Sequence, residues 1–170
     1  MIDNYSEDLV LRKRLPHEII IKWAFIVLGV LAVISFFIIP SAFFLLAEVI
    51  GIWAIAIFMI SRSVVEFEYI FVAGELEIDR IIGRRKRKKI MKVDVKNILM
   101  MAPEDSKRLD EALEENKKYK YYDFSTRAKD TKKYCIVTSK DGKECIIIFE
   151  PSDKTVELMK SYGPRLVFSN

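Results

Sequence analysis

Between Ile19 and Ile60 the chain runs for 42 residues with only two ionisable side chains, Lys22 and Glu48. No other feature of the sequence restricts the possible folds as strongly. Drawn as one helix, the stretch would be about 60 Å long, roughly twice the hydrocarbon thickness of a bilayer. Pro40, followed by Ser41, lies near its middle. Proline removes a backbone donor and turns the preceding residue away from helix. The pattern therefore predicts two apolar helices, 19–39 and 42–60, each close to the roughly 20 residues a bilayer needs. A short connection makes them antiparallel neighbours, a transmembrane helical hairpin. A helix on a soluble core normally carries a polar face, and these have none. A cleaved leader is not expected, because the apolar stretch is too long and lacks a small-residue cleavage site.

Basic residues near the ends of the spans set the expected orientation. Arg12, Lys13 and Arg14 precede the first and Arg62 follows the second, while the turn at Pro40 carries no Lys or Arg. Both termini are expected in the cytoplasm of a multi-pass cell-membrane protein. Residues 1–18 then form an N-terminal segment and 61–170 a cytoplasmic domain. From Ser61 onward there are 24 Lys and Arg against 19 Asp and Glu, a net of +5.

In that domain "VVEFEYIFVAGELEIDRII" alternates with period two about a turn at Ala73-Gly74. Val65, Phe67, Tyr69, Phe71, Leu76, Ile78 and Ile82 fall on one face. Glu66, Glu68, Glu75, Glu77 and Asp79 fall on the other, the pattern of an antiparallel hairpin with one buried face. "KIMKVDVKNILMMAP" predicts one or two more strands. "EDSKRLDEALEENKK" is weakly helical, with Leu109, Ala112 and Leu113 at helical spacing. "YCIVTSKDGKECIIIF" carries Asp-Gly between β-rich runs, a strong hairpin signal. A two-residue turn at Asp141-Gly142 pairs Thr138 with Cys145 and Cys135 with Ile148. The sulfurs then leave opposite faces, so a disulfide is not expected. In "PSDKTVELMKSYGP" Ser152 caps a helix, Gly163-Pro164 stops it, and Val156, Met159 and Tyr162 form its packing stripe.

A two-span hairpin, then "FEYIFVAGELEIDRIIGRRKRKKIMKVDVKNILMMAP", then strands and a final helix resembles bacterial membrane proteins with pleckstrin-homology-like domains. It is closer still to a family of two-span bacterial proteins carrying such a domain. The resemblance covers most of residues 19–163 and implies a partly open antiparallel barrel or sheet capped by the last helix. It implies a domain that scaffolds or binds rather than catalyses. Relatives that bind inositol lipids place basic residues around the first hairpin turn, where this chain has Ala73, Gly74 and Glu75. Their last helix often carries a tryptophan, and residues 152–162 have none. Inositol-lipid recognition is therefore not carried over.

Arg84, Arg85, Lys86, Arg87, Lys88 and Lys89 follow Gly83 directly. Beside an acidic strand they can form exposed ion pairs of roughly 0–1 kcal/mol each, Asp79 opposite Lys88 being one register. They can also attract anionic lipid, at about 1 kcal/mol per residue near a charged surface, or contact a protein partner. Basic runs contact nucleic acid too, but no reading module accompanies this one, so nucleic acid is not expected. In the apolar stretch Glu48 is a candidate contact to another membrane protein. Ala47, Gly51 and Ala54, with Gly29, Ala32 and Ser35, form small-residue stripes for close helix contact within the hairpin or between copies. Trp53 is expected to pack rather than anchor an interface. Tyr119, Tyr121, Tyr122 and Phe124, interleaved with Lys118 and Lys120, fit alternating strand positions better than a base-stacking surface.

No nucleophile motif or phosphate-binding glycine loop is present, and the one histidine, His17, has no cysteine nearby. No metal, cofactor or enzymatic activity is expected. The sequence predicts a membrane-tethered scaffold or interaction module engaging a protein partner or anionic lipid. The alternative is an accessory subunit or regulator of a membrane transport or envelope-enzyme complex, acting through the hairpin.

Overall fold

The structure, a computed structural model, describes residues 4–13, 16–38, 50–55, 57–58, 64–113, 118–140 and 142–169. The chain divides into two compact units. The first comprises Met1–Lys13, Glu66–Ile81 and Lys86–Asn170, and the second Arg14–Val65 and Ile82–Arg85.

The first unit is built on two four-stranded sheets. One has the order β1 (Tyr5–Leu11), β2 (Val65–Val72), β3 (Glu75–Ile82), β4 (Lys86–Asp94). The other has the order β5 (Met100–Pro103), β7 (Tyr134–Lys140), β8 (Lys143–Phe149), β6 (Lys120–Asp123), with β6 parallel to β8. Two helices accompany them, α2 (Lys107–Ala112) and α3 (Asp153–Tyr162).

The turn between β2 and β3 falls at Ala73-Gly74, where φ is +50° and +93°. Two successive left-handed residues match the twist of the strands they join, as in type I′ hairpins. Phe67, Tyr69, Phe71, Leu76 and Ile78 are buried, as their alternation predicts. The inner face of this sheet meets the second sheet and α3 through aromatic edges. Tyr69 lies edge-on to Phe149 at 5.5 Å, Phe67 to Phe124 at 5.4 Å and Phe71 to Tyr162 at 5.6 Å.

The second sheet is covered on its other face as well. Cys135, Val137 and Ile146 pack with Met100, Ala102 and Leu109, the last being the buried residue of α2. A strand buried on both faces needs a continuous apolar run, which is why "CIIIF" does not alternate. The β7–β8 register pairs Cys135 with Ile148 and Thr138 with Cys145, as expected, and both cysteines are free and buried.

Helix α3 begins at Ser152, whose hydroxyl accepts from the Thr155 amide, and ends at Gly163. Val156 and Met159 are buried in its packing stripe. One element has no counterpart in the sequence reading: residues 5–11 form β1, antiparallel to β2 from Tyr5 opposite Val72 to Leu11 opposite Glu66. Its inward positions Ser6 and Asp8 are polar because they meet a helix N-terminus rather than core. Thr155 Oγ1 donates to Asp8 at 2.6 Å and lies 2.8 Å from the Ser6 hydroxyl, and the Ser152 amide donates to Asp8 at 2.9 Å.

The second unit contains α1 (Pro16–Ile38) and a further helical stretch, residues 50–55 and 57–58. Here the expected membrane architecture is corrected. Among the described residues, no helix is long and apolar enough to cross a membrane. His17, Glu18 and Lys22 occupy the first two turns of α1. That leaves 16 residues from Trp23 to Ile38, about 24 Å at helical rise against roughly 30 Å of hydrocarbon. The integral-membrane fold class, the two transmembrane spans, the multi-pass location and the topology derived from them are all withdrawn. The architecture is α+β, with two sheets and accompanying helices. A run of apolar composition does not by itself ensure one uninterrupted apolar helix.

Candidate functional site

The basic run is divided by the fold. Gly83 and Arg84 adopt φ of +60° and +59°, forming a turn in which the Arg85 amide donates to Ile82. Lys86 then opens β4, which also carries Arg87, Lys88, Lys89 and Lys92.

Three of these cations are neutralised by the acidic face of the hairpin. Arg87 donates to Glu68 at 2.6 Å and its Nε lies 3.8 Å from Asp79. Lys89 lies 2.6 Å from Glu77, and Lys92 lies 2.7 Å from Glu75 and 3.8 Å from Glu77. Asp79 thus faces Arg87 rather than Lys88. The partners differ in environment. Glu68 and Asp79 are only 4% and 6% exposed, although their alternation puts them on the charged face. Burial raises the Glu68 carboxyl above its ordinary value, Arg87 opposes that rise, and Glu7 adds to it. In the open, the Lys89 hydrogen bond holds Glu77 below the usual carboxylate range, and Glu75 holds Lys92 protonated more firmly than usual.

Strict alternation would put Arg87, Lys89, Met91 and Val93 on one face. Yet Lys89 and Lys92 both reach Glu77, while Met91 and Val93 are buried at 3% and 5% exposure. The burial of β4 thus changes along its length, from exposed residues at Lys86–Lys89 to the buried Met91 and Val93. In the exposed portion Lys86 and Lys88 alternate with Arg87 and Lys89. Both are exposed, and neither makes an ion pair among the described residues.

Among the described residues β4 ends its sheet, and no strand accompanies it on the side away from β3. Along it lies a groove of about 550 Å³, lined by β4 from Lys89 to Asp94 and by Asn97, Thr138 and Ser139. Asp94 closes one end by capping the 3-10 turn Val95–Asn97, its carboxylate accepting from the Lys96 amide at 2.9 Å. Among the described residues the site thus combines two unpaired lysines, an open strand edge and a groove of mixed apolar, hydroxyl and charged lining. Among the described residues no cluster of three acidic, histidine or cysteine side chains could hold a metal.

The other sequence candidates are placed differently. Glu48 and Ala47 lie outside the described residues. Gly29 is buried, and a Cβ there would come within 2.9 Å of the Trp53 ring, so glycine permits that contact. Around Gly51 a Cβ would meet nothing within 4 Å, and Ala54 is exposed. In the aromatic segment Tyr122 stacks on Phe124 at 6.2 Å and Phe124 is buried, whereas Tyr121 is exposed. The division of the basic run between neutralised and unpaired members was signalled by the Glu-x-Glu alternation of the preceding hairpin. The groove had no such signal, because Thr138 and Ser139 reach β4 only through tertiary structure.

No curated protein and no solved structure matches this chain. A family model described as a bacterial PH-like domain, DUF6106, matches residues 2–169. That span takes in β1 and α3, the strand and helix joined through Asp8 and Thr155, as well as both sheets between them. The chain belongs to the bacterial PH-like domain family DUF6106.

Proposed function

We propose that this protein is a non-enzymatic interaction module that engages an anionic partner through the basic edge strand β4. PH-like domains commonly bind proteins or lipids, which supports a binding role. The observation that carries the assignment to β4 is the contrast along one strand. Arg87, Lys89 and Lys92 are committed to Glu68, Glu77 and Glu75, whereas Lys86 and Lys88 are exposed beside them with no carboxylate partner among the described residues. Cations paired within the fold contribute little to a partner, because their charge is already compensated. Two unpaired lysines on a strand edge retain their full attraction, which added salt weakens.

The accessory-subunit alternative depended on a transmembrane hairpin and falls with it. The test uses the full chain and its Lys86→Gln/Lys88→Gln variant against two probes, an acidic peptide and vesicles containing phosphatidylserine. The reading expects binding to at least one probe that declines with salt and is lost in the variant. Equal binding by chain and variant to both probes would refute it, as would binding to neither.

A further inference from the structure

The proposed anionic contact has a second feature that charge alone does not use: an unpaired strand edge with a groove beside it. We propose that β4 accepts an extended segment of another protein as an additional strand. That segment is acidic where it passes Lys86 and Lys88 and apolar or hydroxyl-bearing where it enters the groove, in which Ile90, Val93, Thr138 and Ser139 lie beside Asp94, Asn97 and the internally paired Lys89 and Lys92. This inference rests on the reading above and names the partner class.

Three observations support it. Among the described residues the terminal position of β4 leaves alternate main-chain amides and carbonyls without a neighbouring strand, and such groups pair readily with an added chain. With nine residues, β4 offers an edge of about 30 Å, enough for a partner of similar length. The charge then selects the occupant. In a second copy of this chain, β4 pairing with β4 would set lysines and arginine against each other, and like charges directly opposite are unfavourable. Lysine on an edge commonly serves to prevent such self-pairing. Here the same charge favours an acidic strand. Along β4 the exposed Lys86 and Lys88 precede the groove-lining residues Lys89 to Asp94. A matching partner is therefore polarised along its length rather than uniformly acidic.

A suitable probe is a decapeptide alternating glutamate and threonine in its first half and valine and threonine in its second, tested also in reverse order. In an added strand only alternate amides face the neighbour. Two N-methylated versions, each blocking one alternate set, therefore separate strand pairing from charge. Titration against the full chain is expected to show salt-sensitive binding in one sequence direction. One N-methyl set should weaken it at least tenfold and the other leave it within about twofold, and Lys86→Gln/Lys88→Gln should weaken the unmethylated peptide. If both methylated peptides bind like the parent, strand addition is wrong while the anionic contact stands. If no peptide binds at millimolar concentration but vesicles bind in a Lys86- and Lys88-dependent way, the partner class is wrong and a lipid surface takes its place. If neither probe responds to the two lysines, this inference and the function it rests on fail together.

Discussion

Arg87 donates to Glu68 at 2.6 Å, and that carboxylate is almost wholly buried on the face of the sheet that sequence alternation assigns to charge. Asp79, 3.8 Å from the Arg87 Nε, is buried beside it with one oxygen lacking a hydrogen bond among the described residues. One half-exposed arginine thus compensates two buried acids.

Arg87→Ala removes that compensation and is expected to lower stability by about 1–3 kcal/mol near neutral pH. The pH dependence has a definite sign. Burial raises the Glu68 carboxyl in the folded state, so the native state holds its proton to higher pH than the unfolded chain does. The penalty for ionised Glu68 is full above the raised value and disappears as pH falls below the ordinary glutamate range. Arg87→Ala raises the folded value further, so its stability deficit should shrink on acidification. Adding Glu68→Gln should restore part of the loss. Denaturant unfolding at neutral and mildly acidic pH checks both, and a deficit that grows on acidification would contradict this account.

The Ala73-Gly74 turn touches the closing helix. A Cβ at Gly74 would lie 2.9 Å from the Tyr162 ring, and φ there is +93°. Gly74→Val combines a left-handed backbone cost of roughly 1–2 kcal/mol with displacement of Tyr162 from Phe71. Thermal unfolding should show a clearly lowered midpoint, while Gly142→Ala, with open space around its Cβ, should show only the smaller backbone effect.

Asp8 accepts from both Thr155 and the Ser152 amide, joining the first strand to the last helix. Asp8→Ala is expected to cost about 1–3 kcal/mol by leaving the buried Thr155 hydroxyl and a helix-terminal amide poorly satisfied. Amide exchange should show β1 and the first turn of α3 losing protection together. Loss confined to β1 would mean that this junction does not couple them.

Cys135 is buried among apolar side chains, which push its thiol up to about 12. Thiolate is the reactive form, so alkylation at mildly alkaline pH should be negligible in the native chain and rapid on unfolding. An oxidant should not link Cys135 to Cys145, since the register offsets them along β7 and β8. Mass analysis after alkylation checks both statements.

Much of the first unit was legible because its signals are local. The β2–β3 and β7–β8 hairpins, the cap at Ser152 and the stripe of α3 each depend on residues near in sequence. β1 was not legible, because its inward side chains Ser6 and Asp8 are polar for a reason 144 to 149 residues away. The apolar stretch misled for a related cause. Composition registers hydrophobicity but not where a helix starts, and α1 places Glu18 and Lys22 in its opening turns. The basic run was visible as charge, whereas its division needed the fold. Only the acidic strands beside β4 determine which cations are already paired.

The most direct test of the central assignment is an NMR titration of the full chain with the acidic-apolar decapeptide, following signals of backbone amides and of lysine and arginine side chains. The account predicts shifts concentrated on β4 and on Thr138 and Ser139, with the Lys86 and Lys88 side chains responding and the Arg87 side chain little changed. Shifts centred on another strand, or on the Arg87 side chain with Lys86 and Lys88 silent, would contradict it.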